Sequence, residues 1–347
     1  MLTTLRTLGR SGLAVSPLTL GTMTMGNPDW GSDERESAAV LDAYLEAGGT
    51  TVDTADVYGR SEELLGRMIA ERGIRDQVVL ATKYGFHAGG GPLTGGAGRK
   101  NLHRALEGSL RRLGTDYVDL YWLHVWDRVT PVEEVLQGLD DLVRTGKIRY
   151  FGFSDTPAWF AVRAATLAQA HGVPGPVAMQ LEYSLVERGI EREHVPAARE
   201  LGLGIVPWSP LAGGFLTGKY SRDTGGAAGT GRLGGANPFG TSKFTDPNWD
   251  TLDVVREVAA ELGCRPADVA LAWVSRRPGV DTVLVGARTS EQLRSNLAAA
   301  DLHLPPDALA RLDAVSAPVL GFPYEIYADD VLTPAVNGGR AVRRLRP

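Results

Sequence analysis

The chain has a single cysteine, Cys264, in 347 residues, so no disulfide can form within it and a disulfide-stapled scaffold is excluded; a reducing compartment is expected. No apolar run is long enough to cross a bilayer, and the opening stretch MLTTLRTLGRSGLAVSPL lacks the long apolar core of an export signal. The cytoplasm is therefore the expected location. Charge of one sign is not in large excess: 36 Lys and Arg against 41 Asp and Glu leave a net charge of -5, which removes any general attraction to nucleic acid or to an anionic membrane. The local exception, Arg340, Arg343, Arg344 and Arg346, reads as a solvated tail. Also missing is a Gly-x-Gly-x-x-Gly turn after the first strand, which an open doubly wound dinucleotide-binding sheet would carry.

The 43% hydrophobic composition is enough for a large buried core. Short β-branched or apolar runs recur at 18–23, 50–54, 78–82, 118–123, 148–153, 177–181, 204–208 and 282–286, and each predicts a buried strand. Helical patterns separate them, at Glu34–Ala47, Ser61–Glu71, Leu102–Leu113, Pro131–Arg144, Pro157–Ala170, Ile190–Leu201 and Ser290–Ala300, with two more at Asp250–Leu262 and Pro266–Arg276 before the last strand. Start signals (Ser61 before Glu62 and Glu63, Thr130 before Pro131, Thr289 before Ser290) and glycine stops such as Gly73, Gly114 and Gly202 agree. Eight strands, each followed by a helix, predict an α/β fold, a (β/α)8 TIM barrel occupying one domain over 1–347. A hairpin over 5–16 would close its floor. Long loops at 87–100 and 221–249 would lie on the C-terminal face, and a tail follows from 316.

Asp53 follows one strand, Lys83 ends the next and His124 the one after, with Tyr58 just beyond the first of these, so all four should meet at one rim. Singly they read as a capping carboxylate, a strand-end lysine, a packing aromatic and a hydrogen-bonded histidine. Together they form a coherent set. A phenol can protonate an alkoxide at neutral pH if a nearby ammonium lowers its pKa from about 10. Asp53 would keep Lys83 charged, and His124 would donate to a carbonyl oxygen. Trp30, Phe86, Trp126, Phe239 and Phe244 lie in loops expected at the rim, where they could form an apolar substrate pocket.

The segments D53-T-A-D-V-Y58-G, A-T-K83 and L-Y-W-L-H124 resemble the aldo-keto reductase superfamily, and the resemblance covers nearly the whole chain. It implies NADPH bound across the C-terminal rim, with contacts at Thr22, Met23 and Asp53. Ser154, Asp155 and Gln180 would hold the nicotinamide carboxamide, and Asp155 is a departure, since many relatives carry Asn there. The stretch W208-S-P-L-A-G-G-F-L-T-G-K219 is similar to the segment that stacks an aromatic on the nicotinamide and wraps the pyrophosphate, which implicates Trp208, Ser209, Pro210, Leu211, Gly213 and Lys219. Gly286, Arg288, Gln292 and Asn296 would form the adenosine end, with Arg288 on the 2′-phosphate and free amides of the following helix facing phosphate.

The expected activity is reduction of a small carbonyl substrate (aldehyde, ketone or keto-sugar) to an alcohol, with Tyr58 as general acid and no metal. A nucleotide-sugar ketone would call for a basic pocket, which Arg60, Arg99, Lys100 and Arg128 could supply. The competing reading is a cofactor-binding regulatory subunit resembling the potassium-channel beta subunits. Those relatives carry Asn where this chain has His124.

Overall fold

The computed structural model describes residues 2, 4–27, 31–222, 233, 243–327 and 329–340. The chain opens with a two-stranded antiparallel hairpin, β1 (Arg6–Thr7) and β2 (Ala14–Val15), with Arg6 opposite Val15. Then follow β3 (Leu18–Gly21), α1 (Glu34–Glu46), β4 (Thr51–Asp53), α2 (Ser61–Arg72), β5 (Val79–Tyr84), α3 (Arg99–Leu113), β6 (Val118–Leu123) and α4 (Val132–Arg144). The alternation continues through β7 (Ile148–Ser154), α5 (Ala158–His171), β8 (Ala178–Glu182), α6 (His194–Leu201) and β9 (Gly204–Trp208). It ends with α7 (Asp246–Leu262), α8 (Pro266–Val274), β10 (Val283–Val285), α9 (Ser290–Ala298), α10 (Pro306–Val315) and α11 (Asp329–Asn337).

Strands β3 to β10 form one eight-stranded parallel sheet in the order β10-β3-β4-β5-β6-β7-β8-β9. Its ends meet at a bridge between Ile205 and Val280, where the Ile205 N–H donates to Gly279 O at 2.9 Å. This is the barrel that the sequence predicts. Its strands are buried on both faces, as in β6, which explains why they read as nearly unbroken apolar runs. Leu8, Leu13 and Val15 of the hairpin pack on Ala81, Leu120, Trp122, Ala178 and Val206, plugging the floor. Gly9 is required there. It sits at φ 57 and an added Cβ would come within 2.5 Å of Val177 O, while its N–H donates to Asp281 Oδ2 at 2.6 Å.

Several element boundaries differ from expectation, one of them for a clear tertiary reason. α3 starts at Arg99 rather than Leu102 because the Arg99 N–H is capped from α4 by Glu134 Oε1 at 2.9 Å. α7 starts at Asp246 rather than Asp250, with proline in its first turn. Residues Gly189–Glu191 form a separate 3-10 turn ahead of α6, and α10 has no counterpart among the predicted helices. The chain divides into two compact units, Met1–Ser316 and Ala317–Pro347. The second holds the short helix Tyr324–Tyr327 and α11. Among the described residues no helix is long and apolar enough to cross a membrane.

Candidate active site

Parallel strands deliver their last residues to a single rim, and here they deliver a buried ion pair. Lys83 at the end of β5 is fully buried and Asp53 at the end of β4 is 2% exposed. The Lys83 Nζ donates to Asp53 Oδ1, to Thr54 O at 3.0 Å and to the Tyr58 hydroxyl at 3.4 Å. Gln180 of β8 donates through Nε2 to the other Asp53 oxygen at 3.0 Å. Both carboxylate oxygens are thereby engaged, which a buried ion pair needs if attraction is to offset desolvation. Burial pulls the Lys83 ammonium down, but Asp53 and then Tyr58 outweigh it and hold it above its ordinary value.

The loop from Thr54 to Gly59 is tied to this pair. The Asp56 N–H donates to Lys83 O at 3.3 Å, and the Tyr58 N–H to Ala55 O at 3.1 Å. Ser61, expected to signal the helix start from outside, is the first residue of α2, and its hydroxyl turns inward to Thr22 O at 2.9 Å and Thr22 Oγ1 at 2.7 Å. Tyr58 is half-buried. Burial lifts its phenol above the ordinary value, Lys83 pulls the other way and Asp53 adds to the rise. The expected lowering by Lys83 is therefore present but outweighed, by burial first and by Asp53 second. The consequence is a phenol that stays protonated at neutral pH.

His124 follows β6, and its peptide N–H donates to Tyr84 O at 2.7 Å. Its ring stands edge-on to Tyr58 with centroids 5.8 Å apart, and edge-on to Phe86 at 4.7 Å. Burial, then Lys83, push it well below the ordinary histidine value. A neutral imidazole beside a protonated phenol can present two hydrogen-bond donors to one oxygen.

Four more of the expected residues meet at the same rim. Ser154 and Gln180 are register partners in β7 and β8. The Asp155 N–H donates to Gln180 O at 3.2 Å, and the Trp208 indole donates to Asp155 Oδ1 at 3.0 Å. Asp155, Ser209 and Ala212 are non-glycine residues with left-handed backbone, at φ 45, 54 and 49, directly beyond β7 and β9. Strain of this kind persists only where the surrounding fold imposes it. Pro210 is buried and Leu211 half-buried in the turn that Ala212 N–H closes on Ser209 O at 2.8 Å. Gly213 and Gly214 follow with φ 66 and 92, and a Cβ on Gly214 would lie 2.9 Å from Lys219 Nζ. Burial, then Arg288, depress the Lys219 ammonium. Two like charges from two loops thus lie close enough to act on each other.

Other residues are placed differently from expectation. Thr22 is fully buried with its hydroxyl donated to Asp53 O at 3.0 Å, so it braces the carboxylate's backbone, while Met23 is half-buried in the next turn. The amides of Arg288, Ser290 and Gln292 around the start of α9 are not free. Arg288 N–H donates to Gln292 Oε1 at 3.0 Å, Ser290 N–H to Glu36 Oε1 at 2.7 Å and Gln292 N–H to Thr289 Oγ1 at 3.2 Å. Thr289 caps as expected; the exposed Arg288 side chain is then the group left to meet a phosphate, with Gly286 and Gln292 exposed and Asn296 half-buried nearby in sequence.

Phe86 is 43% exposed beside His124. The Trp126 N–H donates to Asp155 O at 3.5 Å, and its ring stands edge-on to Trp159 at 5.4 Å. Trp159, 53% exposed at the start of α5, is a rim aromatic with no sequence signal beyond its nearness to Asp155. Phe244, expected at the rim, stacks instead on Trp249 at 5.7 Å within the core. Arg99 is bonded to Asp141 of α4 at 2.8 Å and Arg60 pairs with Glu63 at 3.7 Å, so neither is held for a substrate phosphate. Trp30, Phe239, Arg343, Arg344 and Arg346 lie outside the described residues.

Two acidic residues went unrecognised in the sequence. Asp127 accepts from Val129, Thr130 and Ala97 N–H groups at 3.0, 2.9 and 2.8 Å, fastening the loop after β6 to the loop after β5. The D-x-x-T-P spacing is the turn signal that could have revealed it. Asp56, 9% exposed, has no hydrogen-bond partner for either oxygen among the described residues and lines a cavity of about 240 Å³ with Arg104, Gly108 and Arg112. Burial and then Glu62 push its carboxyl up to about 7, against Arg112, Arg104 and Lys83.

Comparison with known proteins adds to this geometry. Residues 17–317 match the aldo/keto reductase family. The chain is 37% identical to an uncharacterized oxidoreductase, YrpG, of Bacillus subtilis, over 92% of this chain and 98% of that one. It is 33% identical to an aryl-alcohol dehydrogenase [NADP(+)] of Phanerodontia chrysosporium, over 92% and 87%. It is also 36% identical to a probable voltage-gated potassium channel subunit beta of Oryza sativa subsp. japonica, over 89% and 95%.

Proposed function

The chain belongs to the aldo/keto reductase family, and on that premise we propose that it is an NADPH-dependent oxidoreductase that reduces an aldehyde or ketone to an alcohol, with Tyr58 as general acid. The observation that carries this reading is the wholly buried Lys83, bonded to Asp53 and within 3.4 Å of the Tyr58 hydroxyl. A lysine buried so completely beside a phenol is costly and has a chemical use.

The residues present suit the dinucleotide. Lys219 and Arg288 supply convergent positive charge, and the Gly213–Gly214 turn leaves a cradle that a Cβ would fill. Arg288 would meet the 2′-phosphate bidentately, Gln292 and Asn296 the adenine, and Ser154, Asp155 and Gln180 the carboxamide. Trp208 would pack against one face of the nicotinamide ring, so the other face is turned toward the carbonyl. Bound NADPH supplies the hydride.

The protein's own residues do the rest. His124 and Tyr58 both donate to the carbonyl oxygen, whose negative charge grows as the hydride arrives. Tyr58 then passes its proton to that oxygen. Lys83 stabilises the tyrosinate left behind, and Asp53 with Gln180 keeps Lys83 in place. Because the free phenol is held above its ordinary value, the proton is retained until the oxyanion forms. Phe86, Trp126 and Trp159 give the mouth an aromatic wall suited to aryl carbonyl compounds, in keeping with the aryl-alcohol dehydrogenase relative.

The test is NADPH oxidation with a panel of aromatic and aliphatic aldehydes and ketones. Aromatic aldehydes should turn over best, and Tyr58→Phe should lower kcat by roughly 100-fold or more with cofactor affinity nearly intact. The rice relative favours a second reading, a cofactor-binding subunit with little turnover. Tight NADPH binding without reduction of any carbonyl in the panel would select that reading and overturn ours.

A further inference from the structure

Asp155 puts a negative charge where the structure uses only a hydrogen-bond acceptor. Its Oδ1 takes the Trp208 indole N–H at 3.0 Å, a role that an amide oxygen would fill equally well. No ion pair to Asp155 occurs among the described residues. The charged groups facing it are committed elsewhere: Lys83 of β5 to Asp53, and Glu182 of β8 to Lys243 at 3.0 Å. The backbone at φ 45 and the N–H bond to Gln180 O fix Asp155 at the mouth, where the residue has an exposed edge but its carboxyl is largely screened from water against the indole.

We infer that Asp155 makes this site discriminate between the redox forms of its cofactor, holding the positively charged oxidised nicotinamide more tightly than the neutral reduced one. The inference rests on the reading above, in which the ring packs on Trp208 and so lies beside the carboxylate bonded to that indole. Charge attraction acts only on the oxidised form. In the reaction, the hydride carries both electrons to the carbonyl carbon and Tyr58 gives its proton to the oxygen, leaving positive charge beside Asp155. An interaction that grows along this path speeds hydride donation and shifts the equilibrium within the site toward alcohol formation. It also slows departure of the oxidised product. Burial, then Glu182, lift the Asp155 carboxyl to about 6, against Trp208 and Lys83, so the discrimination is present at pH 8 and fades as the group protonates.

Wild type and Asp155→Asn are titrated with NADP+ and separately with NADPH at pH 8, following quenching of tryptophan fluorescence. The amide keeps an acceptor for Trp208, removes the charge and adds an N–H donor, whose effect on the carboxamide is common to both redox forms and cancels in their affinity ratio. We expect the preference for NADP+ over NADPH, read as the ratio of the two affinities, to be about tenfold lower in the variant than in wild type; tenfold in this ratio is about 30 mV for a two-electron couple. In wild type the preference should also fall between pH 8 and pH 5.5, with the variant flat. The ratio cancels titration of the phosphate that both forms share, and the wild-type series stands even if the variant does not fold. Equal weakening of both forms, or a wild-type ratio independent of pH, would overturn the inference and leave Asp155 as a support for Trp208. Failure of wild type to bind either form would instead remove the proposed function on which it rests.

Discussion

At the bottom of the barrel mouth Lys83 is wholly buried and bonded to Asp53, Thr54 and Tyr58, whereas at the outer edge Arg288 is exposed and acts on Lys219 as a charge of the same sign. The inner group is held by strand ends whose register is set by the sheet, so its geometry exists without any ligand. The outer group is carried by loops after β9 and β10, and among the described residues neither Lys219 nor Arg288 has an acidic partner. The contrast teaches a division of labour: the scaffold preorganises the reacting groups, and the loops wait for the ligand that recruits them.

The largest effect expected from breaking this contrast comes from its inner side. Lys83→Met leaves Asp53 buried and unpaired, so turnover should fall by roughly 1,000-fold and stability by about 3 kcal/mol in urea unfolding. Adding Asp53→Leu should recover most of the stability and none of the turnover. Stability unchanged in the single variant would mean that the buried pair is not what holds the mouth together.

The outer side should respond in binding alone. Arg288→Ala should weaken NADPH by roughly 10- to 100-fold, leave NADH within about twofold and leave the melting temperature unchanged, by titration and thermal unfolding. Equal weakening of both nucleotides would take Arg288 off the 2′-phosphate.

The smallest effect sharpens the comparison from a third place. Asp56 is buried like the inner pair, but among the described residues its carboxyl has no hydrogen-bond partner. Its folded value of about 7 lies above the usual carboxylate value, so the fold prefers its protonated form. That contribution is complete below about pH 4 and is lost as pH rises through about 7. Asp56→Asn should therefore stabilise the protein by on the order of 2 kcal/mol at pH 8, allowing for solvent in the cavity, and by much less at pH 5. A gain independent of pH would show that the carboxyl does not titrate in this range.

The barrel was legible because its signals are local and repeated. A strand buried on both faces needs an apolar run, and Thr289 caps α9 through its own side chain. What stayed hidden depended on partners far away in the sequence. Glu134 extends α3 by capping Arg99 from another helix, and Ser61 spends its hydroxyl on Thr22. Glu36 occupies the α9 amide that the sequence alone would leave open to phosphate. Trp159 faces Trp126 only because the start of α5 meets the loop after β6.

The sequence by itself determined the α/β alternation and the strand-end positions of Asp53, Lys83 and His124, because side-chain placement along a strand follows from chain order and period. Only the tertiary structure decided the protonation of Tyr58 and His124 and, among the described residues, the isolation of Asp56 and the lack of an ion pair at Asp155. Each of those depends on how much water is excluded and which opposite charge is already spent, and both quantities are sums over neighbours that the chain brings together only by folding.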